Sequence, residues 1–513
     1  MKEDRSTSHV VLAKGALIFL AGRALGRLLA LVFQAVLARL LLPYAFGLFA
    51  LGWTVFRLVE AIGPLGLQSG VLRFASATAA ADPTSARPTV RTATRFALMS
   101  GGLLGVAGVL LAPFLAVHVF HKPAAAGIFR WFALGFPFLT ALVVAAGATQ
   151  ALQTTRYVAT VREFGQPLLV ALLATTLVLA GFGVNGAAAG VVAATALSAA
   201  LAVGMADRLF PRGPGSVTGV SSRALLAVSI PAAAASAFRL LLGWTDRLVV
   251  GAYLPAADLG GYHAAAQLAA VLPMVAGSFA GILAATVVAA VAANDYQQAR
   301  KLHVTSVKWM LYLATPALVP LIVAPASVLG AVFGSSYVYT APVLRVLAIG
   351  QSVSLLAGAV GALLVMTDRQ MQWMKVAGIC FGTNLVLTLW LTPRFGLIGA
   401  AASTSIALAE LVILGVWQTS RALHGWSMDV NVGKATLVVG FALAAGFAAA
   451  PYLPFAAGLR TLALSVLAVF TAVAGLAMTG LDEEEKLLYA ALVSHIKKRD
   501  GQRPSGSSGK SGK

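Results

Sequence analysis

Acid is scarce in this chain. Its 513 residues include 17 Asp and Glu against 37 Lys and Arg, and charged residues of both signs make up only 11%. A soluble domain carries about 25% charge, so this composition cannot clothe a water-facing globule. The net charge of +20 would otherwise suggest nucleic acid. With no soluble domain to carry a basic face, nucleic acid is excluded as a partner. Cysteine is reduced to Cys380, which rules out an intrachain disulfide and leaves a small packing residue in an apolar run. The 7 histidines are nowhere spaced as metal ligands, so no metal is expected. His118, His121 and His263 read as surface residues near a membrane interface. Short alternating strands, the mark of a membrane β-barrel, are missing as well.

Apolar sequence fills the space. Hydrophobic residues reach 59% and the mean hydropathy is +0.87. Fourteen runs, at 13–36, 46–66, 95–119, 128–150, 166–183, 186–206, 224–250, 264–290, 308–333, 342–366, 373–392, 397–418, 434–452 and 461–479, are each about long enough for the roughly 30 Å hydrocarbon core. Lipid offers backbone groups no partner but their own helix. The fold class is therefore all-α, a polytopic membrane protein with 14 transmembrane helices. The first run is too long for a signal peptide and holds arginines, so it reads as an uncleaved span.

Charge in the loops tests that count. With both termini on one side, most of the 37 basic residues fall in the loops of that side, and the other side keeps only Arg39, Lys122, Arg130, Arg394 and Arg460. The positive-inside rule makes the crowded side, and both termini, cytoplasmic. The far-side loops are too short to fold into a catalytic domain, which argues against a membrane polymerase or ligase. Trp131, Trp390 and Trp417 are placed as interfacial anchors. Residues 482–499 read as an interfacial helix, acidic at its start and basic at its end, and 500–513 as a disordered Gly/Ser/Lys tail.

The chain also repeats itself. Arg27, Gln34, Pro43, Gly47 and Phe49 recur as Arg239, Asp246, Pro255, Gly260 and Tyr262. The first and seventh spans therefore match and enter the membrane in the same direction. This divides the chain into two pseudo-symmetric six-helix lobes, 1–206 and 224–418, joined by a cytoplasmic linker at 207–223, with 434–479 as an appended pair. Transporters place substrate at such a repeat interface.

Four arginines lie deep in these spans: Arg23 and Arg27 in the first, Arg57 in the second and Arg239 in the seventh. Each costs about 2.5–3.5 kcal/mol at the bilayer centre on insertion scales, so they should face water or an anion. Arg23, Arg27 and Gln34 share one helix face, as do Arg239 and Asp246. Guanidinium forks fit phosphate oxygens, and the pattern points to a cationic cavity for an anionic substrate. The competing reading is internal pairing, Arg57 with Glu60 or Arg239 with Asp246. Glu60, Asp246 and Glu410 are the acids placed to bind a coupling Na+ or H+. Arg247 and Arg345 sit near span ends, where they can snorkel.

Three segments carry a family resemblance: Gly66 through Gly70 and Arg73 to Phe74; Asp246 through Gly251 to Gly260 and Tyr262; and Val343 through Gln351, Met366, Arg369 and Asn384 to the run Pro393, Gly396, Gly399 and Ala401. They resemble the oligosaccharide (Wzx-type) flippases of the multidrug/oligosaccharidyl-lipid/polysaccharide (MOP) superfamily. Asp368 stands where those flippases more often have a turn glycine. The resemblance implies a V-shaped, MATE-like fold of two lobes around a cavity, working by alternating access without catalysis. It also implies a polyprenyl-diphosphate-linked oligosaccharide as cargo, with Arg23, Arg27, Arg57 and Arg239 engaging the diphosphate. A bacterial inner membrane and hand-over to polysaccharide polymerase and export machinery follow from the same likeness. A lipid II flippase or a cation-coupled multidrug exporter of the superfamily is the alternative.

Overall fold

A computed structural model describes residues 3–79, 82–152, 156–212, 220–274, 287, 290–358, 360–367, 369–423, 425 and 429–479. The interfacial helix, the tail, Asp368, much of the eighth span and part of the 207–223 linker lie outside the described residues. So do the side chains of Arg23 and Arg239. Every regular element among the described residues is helical. In order these are α1 (Glu3–Ile62), α2 (Leu67–Ala79), α3 (Pro83–Phe114), α4 (Ala125–Gln150), α5 (Gln166–Leu177), α6 (Gly183–Leu209), α7 (Ser222–Tyr253), α8 (Ala256–Ala269), α9 (Tyr296–Val323), α10 (Pro325–Val332), α11 (Ala341–Ser354), α12 (Val360–Met366), α13 (Gln370–Ala422), α14 (Val430–Ala449) and α15 (Ala457–Thr479). A π-helical turn, Ala159–Gly165, precedes α5.

Nine helical stretches among the described residues are long and apolar enough to cross a membrane. Three of them, Leu25–Ala79, Ala159–Leu209 and Gln370–Ala422, run for 55, 51 and 53 residues, more than twice what a bilayer needs. Each contains a break where the chain turns back. In α1 the break is Leu42 at φ 62°, ψ 169°, just before Pro43. The sequence predicts a loop there, and the structure compresses it to one residue. Proline explains the position, because it cannot donate the next helical hydrogen bond.

The other two breaks extend the repeat. Gly183 (φ 54°, ψ −141°) and Gly396 (φ 60°, ψ −139°) adopt the same backbone conformation, one open essentially to glycine alone. Each is preceded by Phe182 or Phe395 and followed by Gly186 or Gly399 and a run of alanines. A Cβ on Gly186 would meet Phe182 and the Leu177 carbonyl, and one on Gly399 would meet Phe395 and the Leu391 carbonyl.

In the first half α3 and α6 pack on α4, and α5 packs on α6; in the second α13 packs on α7 and α11, and α14 and α15 pack on α9. Apolar residues such as Leu110, Leu437 and Phe470 cover the periphery in the exposed state. That periphery suits acyl chains.

Candidate functional site

The two halves meet through α1, which packs against α7 and α8. At the distal end, remote from the N-terminus, the backbones touch. A Cβ on Gly47 would lie 1.7 Å from the Ala256 carbonyl oxygen, and one on Gly260 would lie 2.2 Å from that of Pro43. These are repeat-equivalent glycines facing one another. Around them side chains of one half donate to carbonyls of the other. Arg39 Nε donates to Val332 O at 3.0 Å and its Nη2 to Ala331 O, at the C-terminal end of α10. Tyr337 Oη donates to Ala38 O at 2.8 Å. Lys122 Nζ donates to Gly251 O at 2.6 Å, and half-burial pushes its ammonium below the ordinary lysine range. At the proximal end Gly66 and Gly70 press on Ser229 of α7. Both described ends of this seam are closed.

Arg23, Arg27 and Arg57 lie along the two arms of α1, and Arg239 on α7. A Cβ on Gly26 would fall 1.7 Å from the Glu163 carbonyl, so the first arm of α1 lies flush on the π-helical turn that carries Arg162. Arg27 is exposed and Gln34 is buried with its Oε1 unpartnered in the described structure. On the second arm Arg57 Nη1 pairs with Glu60 Oε2, and Arg162 Nη2 reaches Glu60 Oε1 at 2.9 Å. One carboxylate thus bridges two guanidiniums. The paired alternative holds for Arg57, while its side chain keeps 38% exposure. Arg162, assigned to a loop by its sequence, belongs to this cluster instead. Its partner is 102 residues away, beyond the reach of any local pattern.

A second polar cluster sits on α7. Arg239 lies on this helix, two turns before Asp246. Asp246 is buried and accepts from the Arg247 backbone N–H at 2.8 Å, Arg247 Nη1 at 3.3 Å, Tyr262 Oη at 2.7 Å and Thr404 Oγ1 at 3.3 Å. Arg247 does not snorkel. It is 6% exposed, donates to Gly243 O at 2.5 Å and covers the Trp244 ring at 4.5 Å. His263 is not a surface residue either. It is fully buried between Phe46, with ring centroids 5.6 Å apart, and Trp244, at 6.3 Å. Both corrections have one cause: the Gly47–Gly260 contact draws α1 over the distal ends of α7 and α8. His118 and His121 are exposed, and Arg345 is exposed with its Nε donating to Ile322 O at 2.8 Å.

Glu410, on α13, accepts from Thr383 Oγ1 at 3.2 Å and keeps Oε2 buried without a partner. No described contact joins it to Asp246, nor Asp246 to Glu60. Among the described residues no three His, Cys, Asp or Glu side chains gather as a metal site. Tyr262 and Thr404, which hold Asp246 in place, were not legible as site residues. Tyr262 was visible as the repeat partner of Phe49 and as the end of a family-like segment, not as a ligand of Asp246.

Known proteins place the architecture. A family model described as polysaccharide biosynthesis protein matches residues 12–287. The probable low-salt glycan biosynthesis flippase Agl15 of Haloferax volcanii is 24% identical over 216 residues, covering 39% of this chain and 44% of its own length. The chain thus matches less than half of that relative. Among solved structures, the inward closed conformation of the lipid II flippase MurJ superposes with a TM-score of 0.70 at 14% identity, covering 90% of this chain and 98% of the other. An inward-facing multidrug resistance MATE family transporter of the MOP superfamily superposes at 0.63 with 15% identity, covering 79% and 98%. At these identities the superpositions establish the fold. The chain is a multi-pass membrane protein with the MOP superfamily fold, and it belongs to the polysaccharide biosynthesis protein family.

Proposed function

We propose that the protein is a flippase that moves a polyprenyl-diphosphate-linked oligosaccharide from the cytoplasmic to the outer leaflet by alternating access, for surface polysaccharide assembly. The supporting observation is the charge balance at depth. Glu60 is shared by Arg57 and Arg162, and Asp246 is occupied by Arg247. Beyond the first turn of α1 and apart from the Asp246–Arg247 pair, Arg23, Arg27, Arg57, Arg162 and Arg239 outnumber the acids of these segments, Glu60 and Glu163, leaving positive excess. A diphosphate supplies the missing charge, and guanidinium forks bind its oxygens bidentately. The head group crosses against these cations while its tail stays among acyl chains, so the charge never meets hydrocarbon. An exporter of cationic drugs would need the opposite polarity. A lipid II flippase, suggested by the fold likeness to MurJ, uses the same diphosphate chemistry and differs in the glycan.

In proteoliposomes carrying a labelled polyprenyl-diphosphate glycan, Arg239→Ala should lower export at least about tenfold, the worth of a lost charge-assisted bond, with the protein still in the membrane. Unchanged export would refute the model. Of the three acids proposed for Na+ or H+ coupling, Glu410 is the one not engaged with arginine among the described residues. Glu410→Gln should make transport indifferent to an imposed Na+ or H+ gradient; a gradient response equal to the parent's would remove Glu410 from coupling.

A further inference from the structure

Away from the seam between the halves, α3 and α6 set four arginines against a single acid. Arg87, Arg91 and Arg95 follow one another at four-residue spacing and so share one face of α3. Arg208 stands at the end of α6, next to Asp207, the one carboxylate that these two helices contain. Asp207 accepts from Arg87 Nη2 at 3.0 Å and from Arg91 Nε at 3.4 Å. Asp82, just before α3, accepts from the Thr84 backbone N–H and is spent as the helix cap. Three positive charges in these helices are therefore left without a counterion among the described residues. Arg91 keeps 42% side-chain exposure, and Arg95 and Arg208 are exposed with no described hydrogen bond or ion pair.

Their depth follows from the sequence. The apolar run at 95–119 opens on Arg95, and the run at 186–206 stops two residues short of Arg208. Both side chains thus stand at the edge of the hydrocarbon core, on the side that carries the N-terminus, level with lipid phosphates. Beyond each of them the same helix face turns apolar and open. On α3 it continues through Met99, Leu103 and Val106, which are 69, 73 and 62% exposed, and on α6 through Leu201 and Leu197, each 47% exposed. A Cβ on Gly204, between Arg208 and Leu201, would meet nothing within 4 Å.

An occupant has to match both parts, an anionic head at the boundary and an apolar chain beneath it. A soluble acidic partner reaches the arginines but not the stripes below them, and free phosphate has no chain to lay there. Phosphate is the head that guanidinium forks fit. The two helix ends are already held side by side, because Arg87 Nη1 donates to Phe210 O at 2.5 Å. Elsewhere α3 and α6 pack on α4 and touch one another little.

We propose that the proximal ends of α3 and α6 form a binding site for an anionic glycerophospholipid. Arg91, Arg95 and Arg208 hold its phosphate, and its acyl chains lie on the exposed stripes of the two helices. The lipid is a resident of the site and not cargo, so the proposal does not rest on the transport reading. It would relieve the repulsion among the guanidiniums and bridge two helices that α4 keeps apart. It would do so beside the passage from one half to the other, where the Val220 N–H donates to Thr89 Oγ1 of α3.

The test is native mass spectrometry of the delipidated full chain, titrated with phosphatidylglycerol or with phosphatidylcholine of the same acyl chains. Phosphatidylglycerol should bind at least about fivefold more tightly, the usual worth of one basic residue near an anionic surface. The Arg95→Gln, Arg208→Gln double variant should bring the two lipids within about twofold of one another. Its binding of phosphatidylcholine should be unchanged, which also shows that it is folded. If it binds neither lipid, Arg95→Gln alone is read, and it must lower the preference while sparing phosphatidylcholine. A Lys375→Gln, Lys434→Gln double variant removes the same charge from exposed positions of the second half and should keep the parent's preference. Three outcomes overturn the site: no preference in the parent, equal loss in the two double variants, which would show attraction by net charge alone, or displacement of phosphatidylglycerol by equimolar inorganic phosphate, which would show a site for free anions.

Discussion

A carboxylate shared by two guanidiniums is a charged joint, and Glu60 is that joint. It ties the second arm of α1 to the turn before α5, through Arg57 and Arg162. Removing one member of a fully buried ion pair costs about 3–5 kcal/mol, and of an exposed one about 0–1. Glu60 keeps 15% side-chain exposure and its partners 38% and 28%, so Glu60→Gln should destabilise the protein by an intermediate about 1–3 kcal/mol. Thermal unfolding of the detergent-solubilised protein would register this as a lower Tm. Arg57→Gln added to Glu60→Gln should recover part of the loss, since the residues are coupled; simple additivity would show that the pair is not a unit. The residue scale is also where the sequence was least readable. Composition marks Arg57 and Glu60 as neighbours, but their link to Arg162 is made by the fold. The burial of Arg247 and His263 likewise follows from a contact between distant glycines.

Helices were far more legible. Apolar runs predict α4 and α14 to within about a turn, because the length of a span is fixed by lipid rather than by tertiary context, whereas the run at 308–333 is divided at Ala324 between α9 and α10. The reversals were half legible. Pro43 signals a break, and the structure tightens it to Leu42. The second pair of reversals is written in the sequence as the matched runs after Phe182 and Phe395, yet only backbone geometry shows that Gly183 and Gly396 do the same job. A Cβ at Gly396 would meet nothing within 4 Å, so the penalty for Gly396→Ala is conformational alone. It should cost about 1–3 kcal/mol, read as a lower Tm. Alanine at Gly378, a helical glycine with equally open surroundings, should stabilise slightly or leave stability unchanged. Equal effects at the two sites would show that the turn at Gly396 is not what requires glycine.

At the scale of the whole molecule the halves are fastened at the distal end by donors set against carbonyls, with no acid in the contacts described. Arg39 is the most extended of these fasteners. Its removal leaves the Ala331 and Val332 carbonyls at the end of α10 without that donor. Phe46 lies just behind, fully buried against Phe333, Tyr337 and His263. A cysteine placed at Phe46 should resist a water-soluble maleimide in the otherwise unaltered protein and react several-fold faster when Arg39→Ala is added. The buried Cys380 supplies little background. Equal rates would mean that Arg39 does not hold this end shut. The bare backbone contact of Gly47 with Gly260 has a mechanical consequence. With no side chain between them the halves bear on one another like a lever on its fulcrum. A tilt of about 10° there would swing the opposite ends, roughly 30 Å away across the bilayer, by about 5 Å. That stroke is enough to lift Gly66 and Gly70 off Ser229.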